Sequence, residues 1–305
     1  MRNDKIVSIA GVVGFLLAGW ASGAGAGARL FLPNGYGPAW SPDGTAIACT
    51  RPTPTWSDED MQVWIAPLDG SPPDTLTHDP SGAFLPQWAL DGQRLAYCRN
   101  AEFVIVNLEG EPLATWGTPD LQDDWGIAVA PDGRVLYTRD LWPASEETWA
   151  LDLETGTSEF VAAGAGGVIS PDGLSIACTV QDTLVVGPLG QAPTHRLGLG
   201  AYASWTPDSR YIVYTEISSS GSADLFLVSA DGSYKRQLTF DPEIEWNGKI
   251  SPAGTSVVYS RSISDVQPHD IWILDLELPP TRVETRTWSE IKAGYRGNRA
   301  PERSK

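Results

Sequence analysis

The strongest constraint on the fold is a turn signature that returns six times along the chain. Each copy places Pro-Asp-Gly, or a close variant, between two short apolar segments, and successive copies are 36 to 48 residues apart. The six turns are Pro42-Asp43-Gly44, Leu90-Asp91-Gly92, Pro131-Asp132-Gly133, Pro171-Asp172-Gly173, Pro207-Asp208-Ser209 and Pro252-Ala253-Gly254. A period near forty residues with four strand signals per unit is typical of β-propeller blades. The sequence therefore predicts an all-β fold, a six-bladed β-propeller of four-stranded antiparallel blades.

The repeats divide the chain into three parts. Residues 1–28 resemble a secretory signal peptide, because two basic residues precede a short apolar stretch and an Ala-Gly run. Residues 29–280 form the propeller, and residues 281–305 are a basic tail. The predicted blades lie near 37–77, 84–116, 125–161, 166–197, 201–239 and 246–286.

Two segments compete to supply the outer strand of the last blade. One is Arg282-Val283-Glu284-Thr285, and the other is the N-terminal segment 29–33. The N-terminal segment is favoured, because joining both chain ends in one blade protects the ring from opening at a sheet edge.

The three cysteines are predicted to be small core residues without a disulfide. Cys49 and Cys178 occupy a strand column in which other blades carry tyrosine, and their blades face each other across the ring. That separation exceeds the Cα distance of about 4.4–6.8 Å that a disulfide needs. Cys98 lies one place further along its own strand and has no evident partner.

Charge limits the class of partner. The net charge is −17, and residues 29–280 hold 34 Asp and Glu against 12 Lys and Arg. Such a ring repels the phosphates of nucleic acid. We expect a monomer with no membrane span after signal cleavage, whose partner is a basic protein or envelope component; divalent cations and neutral glycans stay open as alternatives.

The two rims of the predicted ring differ in their loops. The Pro-Asp-Gly turns share one short, regular rim, whereas the other rim carries longer loops in which tryptophans alternate with carboxylates. Such loops on a rigid scaffold are typical of binding surfaces. The predicted partner-binding residues are Trp56, Asp58, Glu59, Asp60, Trp116, Asp120, Asp123, Asp124, Trp125, Trp142, Glu146, Glu147, Glu243, Glu245 and Trp246.

Catalytic and metal signals are weak in this sequence. The acidic loops lack the alternating ligands, glycine and closing Glu of an EF-type calcium loop. No cofactor is therefore predicted, with Ca²⁺ left open. His78, His195 and His269 fall in different blades, and His269 is placed where it can point towards the long-loop rim. No Gly-x-Ser-x-Gly nucleophile motif occurs.

The repeated sequence motif of the blades resembles that of the propeller of TolB, the periplasmic component of the Tol–Pal envelope system. The likeness rests on Trp40-Ser41-Pro42-Asp43-Gly44 and on Leu238-Thr239-Phe240-Asp241-Pro242 leading into Trp246-Asn247. The same repeat occurs in prolyl-oligopeptidase-like peptidases and oligogalacturonate lyases. TolB has an α/β domain before its propeller that residues 29–34 do not replace, so the resemblance implies at most a retained partner-binding face.

These observations favour an exported, non-catalytic propeller scaffold that binds through its acidic, Trp-rich long-loop face in the periplasm or outside the cell. The alternative is a metal-dependent carbohydrate-active enzyme of the oligogalacturonate-lyase kind. An enzyme of that kind needs histidines or carboxylates that converge near the ring axis.

Overall fold

The computed structural model confirms the six-bladed β-propeller. It describes residues 27–53, 61–100, 102–117, 127–141, 146–218, 222–262 and 269–279. Over these ranges the chain forms six four-stranded antiparallel sheets and no helix. No helix long and apolar enough to cross a bilayer occurs in this part of the chain.

Each sheet is one blade, and in blades one to five the strands follow one another in chain order from the ring axis outward. The first three blades are β2 (Tyr36–Trp40), β3 (Ala46–Pro52), β4 (Met61–Pro67) and β5 (Asp74–Thr75); β6 (Phe84–Trp88), β7 (Arg94–Arg99), β8 (Glu102–Asn107) and β9 (Pro112–Gly117); and β10 (Ile127–Val129), β11 (Val135–Asp140), β12 (Glu146–Leu151) and β13 (Ser158–Ala163). The fourth and fifth are β14 (Ala165–Ile169), β15 (Ser175–Val180), β16 (Thr183–Pro188) and β17 (His195–Leu199); and β18 (Ala201–Trp205), β19 (Tyr211–Ile217), β20 (Ala223–Ser229) and β21 (Lys235–Gln237).

The sixth blade closes the ring with both ends of the described chain. It contains β22 (Ile244–Ile250), β23 (Ser256–Ser262) and β24 (Asp270–Asp275), and the N-terminal strand β1 (Arg29–Leu32) pairs with β24 as its outer strand. Closure by the N-terminal segment is therefore confirmed. The competing segment 282–285, residues 1–26 and the basic tail lie outside the described residues.

The Pro-Asp-Gly turns act as caps, as the sequence predicts. Asp43 Oδ1 accepts hydrogen bonds from the Thr45 amide at 3.0 Å and the Ser41 hydroxyl at 2.6 Å. The third turn position has a left-handed backbone in every blade, including Ser209 with a φ of 59°. These hydrogen bonds lower the pKa of Asp43, which is consistent with its capping role in the turn.

Neighbouring blades are joined by a repeated hydrogen bond near the axis. The innermost strand of most blades has a bulge with a left-handed residue: Gly37, Leu85, Gly166, Tyr202 and Asn247. Four of their amides donate to a hydroxyl on the second strand of the preceding blade, at 2.9–3.2 Å. For the amides of Gly37, Leu85, Gly166 and Asn247, the accepting residues are Ser260, Thr50, Thr138 and Thr215, respectively. We call these contacts the bulge–hydroxyl bonds.

Hydrophobic cores fill the wedges between adjacent blades. Each described core cluster combines second and third strands, with residues such as Ile47, Leu95, Leu136 and Leu225 almost fully buried. Cys49, Cys98 and Cys178 are buried and form no disulfide, which confirms their prediction as core residues. Burial raises the pKa of the Cys49 thiol to about 12, so this thiol is unreactive.

The closing strand should contribute measurably to stability. A chain that begins at Asn34 loses the β1–β24 ladder and the burial of Leu32, whose side chain alone contributes about 1.5–3 kcal/mol. We expect a clearly lower melting temperature than for a chain that begins at Gly27, measured by calorimetry or circular dichroism. Equal melting temperatures would show that β1 does not close the ring.

Candidate functional site

The long-loop rim is the end of the ring that carries the connections between second and third strands and those between blades. Six of the fifteen predicted site residues lie in the described part of the chain: Trp116, Glu146, Glu147, Glu243, Glu245 and Trp246. The other nine fall within 54–60, 118–126 and 142–145, outside the described residues. The structure brings Glu243, Glu245 and Trp246 together at the junction of blades five and six.

Three carboxylates surround one arginine at this junction. Arg261 Nη2 donates to Glu243 Oε2 at 2.7 Å, and Nη1 lies 3.2 Å from Asp241 Oδ2. Arg261 Nε lies 3.7 Å from Glu245 Oε1, which is an ion pair without a hydrogen bond. The Asp241 and Glu245 side chains are almost completely buried. We call this group of residues the acidic junction.

The junction of blades one and two provides an internal reference for this arrangement. There Asp79 accepts hydrogen bonds from Tyr97 Oη at 2.8 Å and from Arg99 Nη1 at 2.5 Å. The Gln62 side chain accepts from the Asp79 amide at 2.9 Å and donates to its carbonyl at 2.8 Å. Asp241, Tyr259 and Arg261 repeat this Asp, Tyr and Arg set at the same spacing. At the reference junction this set joins two blades, whereas at the acidic junction Tyr259 Oη and both carboxylate oxygens of Asp241 are buried without a hydrogen bond.

What distinguishes the acidic junction is its extra negative charge. Three positions that are neutral at the reference junction are acidic here. Each neutral residue of the reference junction corresponds to one acidic residue here: Gln62 to Asp224, Ser81 to Glu243, and Ala83 to Glu245. Buried charges normally need matching partners. The guanidinium of Arg261 is paired with three carboxylates, and the nearby Asp224 adds a fourth acidic group that acts on Glu245. The junction therefore has more acidity than the fold requires.

Burial changes the protonation of this group. Removal from water raises the pKa of Glu245 to about 8, and burial also raises the pKa of Asp241 and of Asp224. Glu245 is therefore mainly a neutral carboxylic acid at pH 7. This protonation relieves part of the charge imbalance around Arg261.

An aromatic group lies beside the acidic junction. Trp246 stacks on Tyr36 with ring centroids 6.2 Å apart, and Tyr202 and His269 approach the same indole edge-on at 5.7 and 5.5 Å. These four residues come from blades one, five and six. His269 thus reaches the long-loop side, as the sequence predicts. Trp246, Tyr36 and Tyr202 are partly exposed and can contact a ligand.

The remaining described candidates lie elsewhere. Glu147 accepts a hydrogen bond from Trp149 Nε1 at 2.8 Å, and Arg139 lies over the same indole at 4.5 Å. Glu146 begins the same strand, on the long-loop side of blade three. Trp116 lies on the outer strand of blade two and packs against the core between blades two and three.

A solvent-connected cavity follows the ring axis. It has an empty volume of about 540 Å³, including open solvent, and is lined by inner-strand residues of blades two to six and by Leu136, Tyr137 and Thr138 on the second strand of blade three. Its polar lining includes Gln87, Thr138, Tyr202, Asn247 and Lys249. The acidic junction is not part of this lining.

The spacing of the carboxylates at the acidic junction also bears on metal binding. The carboxylate oxygens of Asp241, Glu243 and Glu245 lie within 4.8 Å of one another, which is close enough to hold a metal ion. Arg261 already contacts all three carboxylates. The three histidines belong to different sheets and do not form a metal-ligand set with these carboxylates.

Asp241, Arg261 and Lys249 were absent from the predicted site. A signal for the first two is present in the sequence, since Asp-Pro followed by Tyr-x-Arg occurs in both 79–99 and 241–261. The signal for Lys249 is its place in the turn repeat, where the other blades carry uncharged residues.

Comparison with known proteins supports the fold and leaves the family open. No family model matches the chain. An uncharacterized protein of Agrobacterium fabrum is 24% identical over 220 residues, which are 66% of this chain and 74% of that protein.

Solved structures with the same fold have different activities. TolB from Acinetobacter baumannii is similar with a TM-score of 0.59 and 19% identity over 77% of this chain, which spans 64% of the TolB chain. A gluconolactonase from Xanthomonas campestris has a TM-score of 0.60 and 15% identity, with 82% and 90% of the two chains covered. At these identities the likeness concerns the fold alone.

Glu245 should make stability depend on pH. An acid whose pKa is raised on folding binds a proton more tightly in the folded state, so stability falls as pH rises from the unfolded value near 4.5 towards 8. We expect Glu245→Gln to leave stability nearly unchanged at pH 5. At pH 8.5 the variant should be more stable by about 1–3 kcal/mol, because no buried carboxylate must ionise. Urea unfolding at both pH values measures this difference.

The exposed Glu154 provides a matched control, since Glu154→Gln should not change the pH profile. Parallel stability curves for the wild type and Glu245→Gln would contradict the assignment of a raised pKa to Glu245.

Proposed function

We propose that this chain is an exported, non-catalytic scaffold that binds a protein or cell-envelope component with basic side chains through its long-loop rim. The acidic junction carries this proposal, because three carboxylates converge beside partly exposed aromatic rings. Aromatic anchors next to unbalanced charge are typical of recognition surfaces. A basic partner is favoured by the partly exposed Glu243 at this corner and by the excess of Asp and Glu over Lys and Arg in residues 29–280.

Two further observations support the proposal. The chain shares its fold with TolB, and the sequence motif of its repeats resembles that of the TolB propeller. Export is inferred from the signal-like residues 1–28, followed by a monomeric propeller in the periplasm or outside the cell. The acidic loops outside the described residues, with Asp58, Asp60, Asp123 and Asp124, are assigned to the same surface by their place in the repeat.

The second candidate is a metal-dependent carbohydrate-active enzyme. It is favoured by the close approach of Asp241, Glu243 and Glu245, and the fold is also that of a gluconolactonase. Any metal, including Ca²⁺, would have to compete with Arg261 for the same carboxylates. A chelator that abolishes turnover of an oligosaccharide would support this candidate over the scaffold.

The scaffold proposal predicts a charge-dependent capture. Residues 29–305 immobilised on a resin should retain a basic protein from an envelope extract of the source organism. Changing Asp58, Asp60, Asp123 and Asp124 to Lys should reduce this capture by tenfold or more, because attraction becomes repulsion. Quantitative mass spectrometry of the eluates measures the difference.

The matched control reverses four exposed carboxylates away from the long-loop rim: Asp69, Glu109, Glu111 and Glu154. Both variants change the net charge equally, so a loss confined to the first variant assigns binding to the long-loop rim. Equal losses in both variants would show that capture depends on net charge alone and not on the long-loop rim. No capture by the wild type would reject the scaffold proposal.

A further inference from the structure

Lys249 is an isolated cation in the axial cavity. It lies on β22 and lines the cavity together with Gln87, Tyr202 and Asn247. No Asp or Glu is among the described residues that line this cavity, and no described carboxylate forms an ion pair with Lys249. The nearest titratable side chains in the lining are the phenols of Tyr137 and Tyr202.

The repeat shows that the fold does not require a lysine at this position. Strand register places one residue of each inner strand at the position of Lys249. In blade order these residues are Ala39, Gln87, Ala128, Val168, Ser204 and Lys249. Lys249 is the one charged member of this set of six. Its backbone carbonyl accepts a hydrogen bond from Trp40 Nε1 at 2.9 Å, a contact that any residue could supply.

An ammonium group in this environment is energetically unfavourable without a counter-ion. Burial lowers the pKa of Lys249 to about 8, with no opposing charge to raise it. Lysines withdrawn from bulk water are normally paired, and the Lys249 side chain, which is only partly exposed, has no such partner among the described carboxylates. The cavity therefore provides the positive charge and the open space, and an external anion can complete the pair.

We propose that the axial cavity is a binding site for the carboxylate group of a small molecule, held by the Lys249 ammonium and by neighbouring amide and hydroxyl donors. A carboxylate fits better than a phosphate because a single cation balances one negative charge. Gln87 and Asn247 supply side-chain amides at the same cavity. Solvent ions screen the acidic surface over roughly 8 Å, so a small anion can enter.

Acetate is the probe, because any site for a carboxylate admits this small member of the class, and acetamide is its neutral match. The protein has five lysines, so the Lys249 side chain can be resolved by NMR, with Lys235 as the internal reference. We expect acetate to give a saturable shift of the Lys249 signals at concentrations up to about 100 mM, the range for millimolar binding. Acetamide should give none.

Substitution tests the role of the charge. Lys249→Met should weaken acetate binding by about tenfold to a hundredfold, the loss expected for a charge-assisted hydrogen bond. This binding is followed by isothermal titration at low chloride concentration. Lys235→Met, at an exposed lysine that pairs with Glu216, should leave the affinity unchanged. The melting temperature of Lys249→Met should not fall, because the change removes an unpaired and only partly exposed charge. An unchanged melting temperature shows that loss of acetate binding is not caused by misfolding.

Each other outcome rejects the proposal. The absence of a saturable acetate response rejects a carboxylate site, and an equal response to acetamide rejects recognition of charge. Tighter binding of inorganic phosphate than of acetate assigns the cavity to another oxyanion. Binding that persists in Lys249→Met removes the lysine from the site. None of these results depends on whether the long-loop rim captures a protein.

Discussion

The bulge–hydroxyl bond is the interaction on which the rest of the structure depends. A left-handed bulge in an inner strand turns an amide away from its own sheet, and a buried amide without an acceptor costs about 1–3 kcal/mol. A hydroxyl of the preceding blade accepts this amide at Gly37, Leu85, Gly166 and Asn247. The Gly37 amide donates to the Ser260 hydroxyl and so links the first blade to the last. The same kind of hydrogen bond that joins neighbouring blades therefore also closes the ring. Leu85 and Asn247 adopt a backbone conformation that is uncommon for residues other than glycine, and the surrounding sheets hold them in it.

Function can then arise where the repeat departs from its own pattern. The ring supplies equivalent positions in every blade, and most of them hold interchangeable small or apolar residues. Glu245 stands where the reference junction has Ala83, and Lys249 stands where other inner strands have uncharged residues. Both departures occur on β22, one at the acidic junction and one in the axial cavity. A single strand thus carries an acidic and a basic side chain to two different environments, one at the rim and one in the axial cavity.

The fold was predictable because its signals are local and repeated. Each Pro-Asp-Gly turn sets the hairpin through its own capping bonds, and six copies at a regular spacing specify the number of blades. Closure by β1 was also predictable, from the general cost of an open sheet edge.

The site was predictable only in part. Glu243, Glu245 and Trp246 were identified from composition, but Arg261 lies on the next strand and Tyr36 on the first blade, so their approach depends on ring closure. Lys249 was missed because it stands within the turn signature, where it was assigned to the scaffold.

Native-state hydrogen exchange of the bulge amides tests this account most directly. The account predicts that the amides of Leu85 and Asn247 exchange only through global unfolding, at a rate set by the full stability of the ring. In the Thr215→Val variant the Asn247 amide should exchange faster than the Leu85 amide. The Asn247 amide then lacks its acceptor, whereas the Leu85 amide still donates to Thr50. Exchange of both amides in the wild type as fast as in the surface turns would contradict the account, because the blades would then be held together without the bulge–hydroxyl bonds.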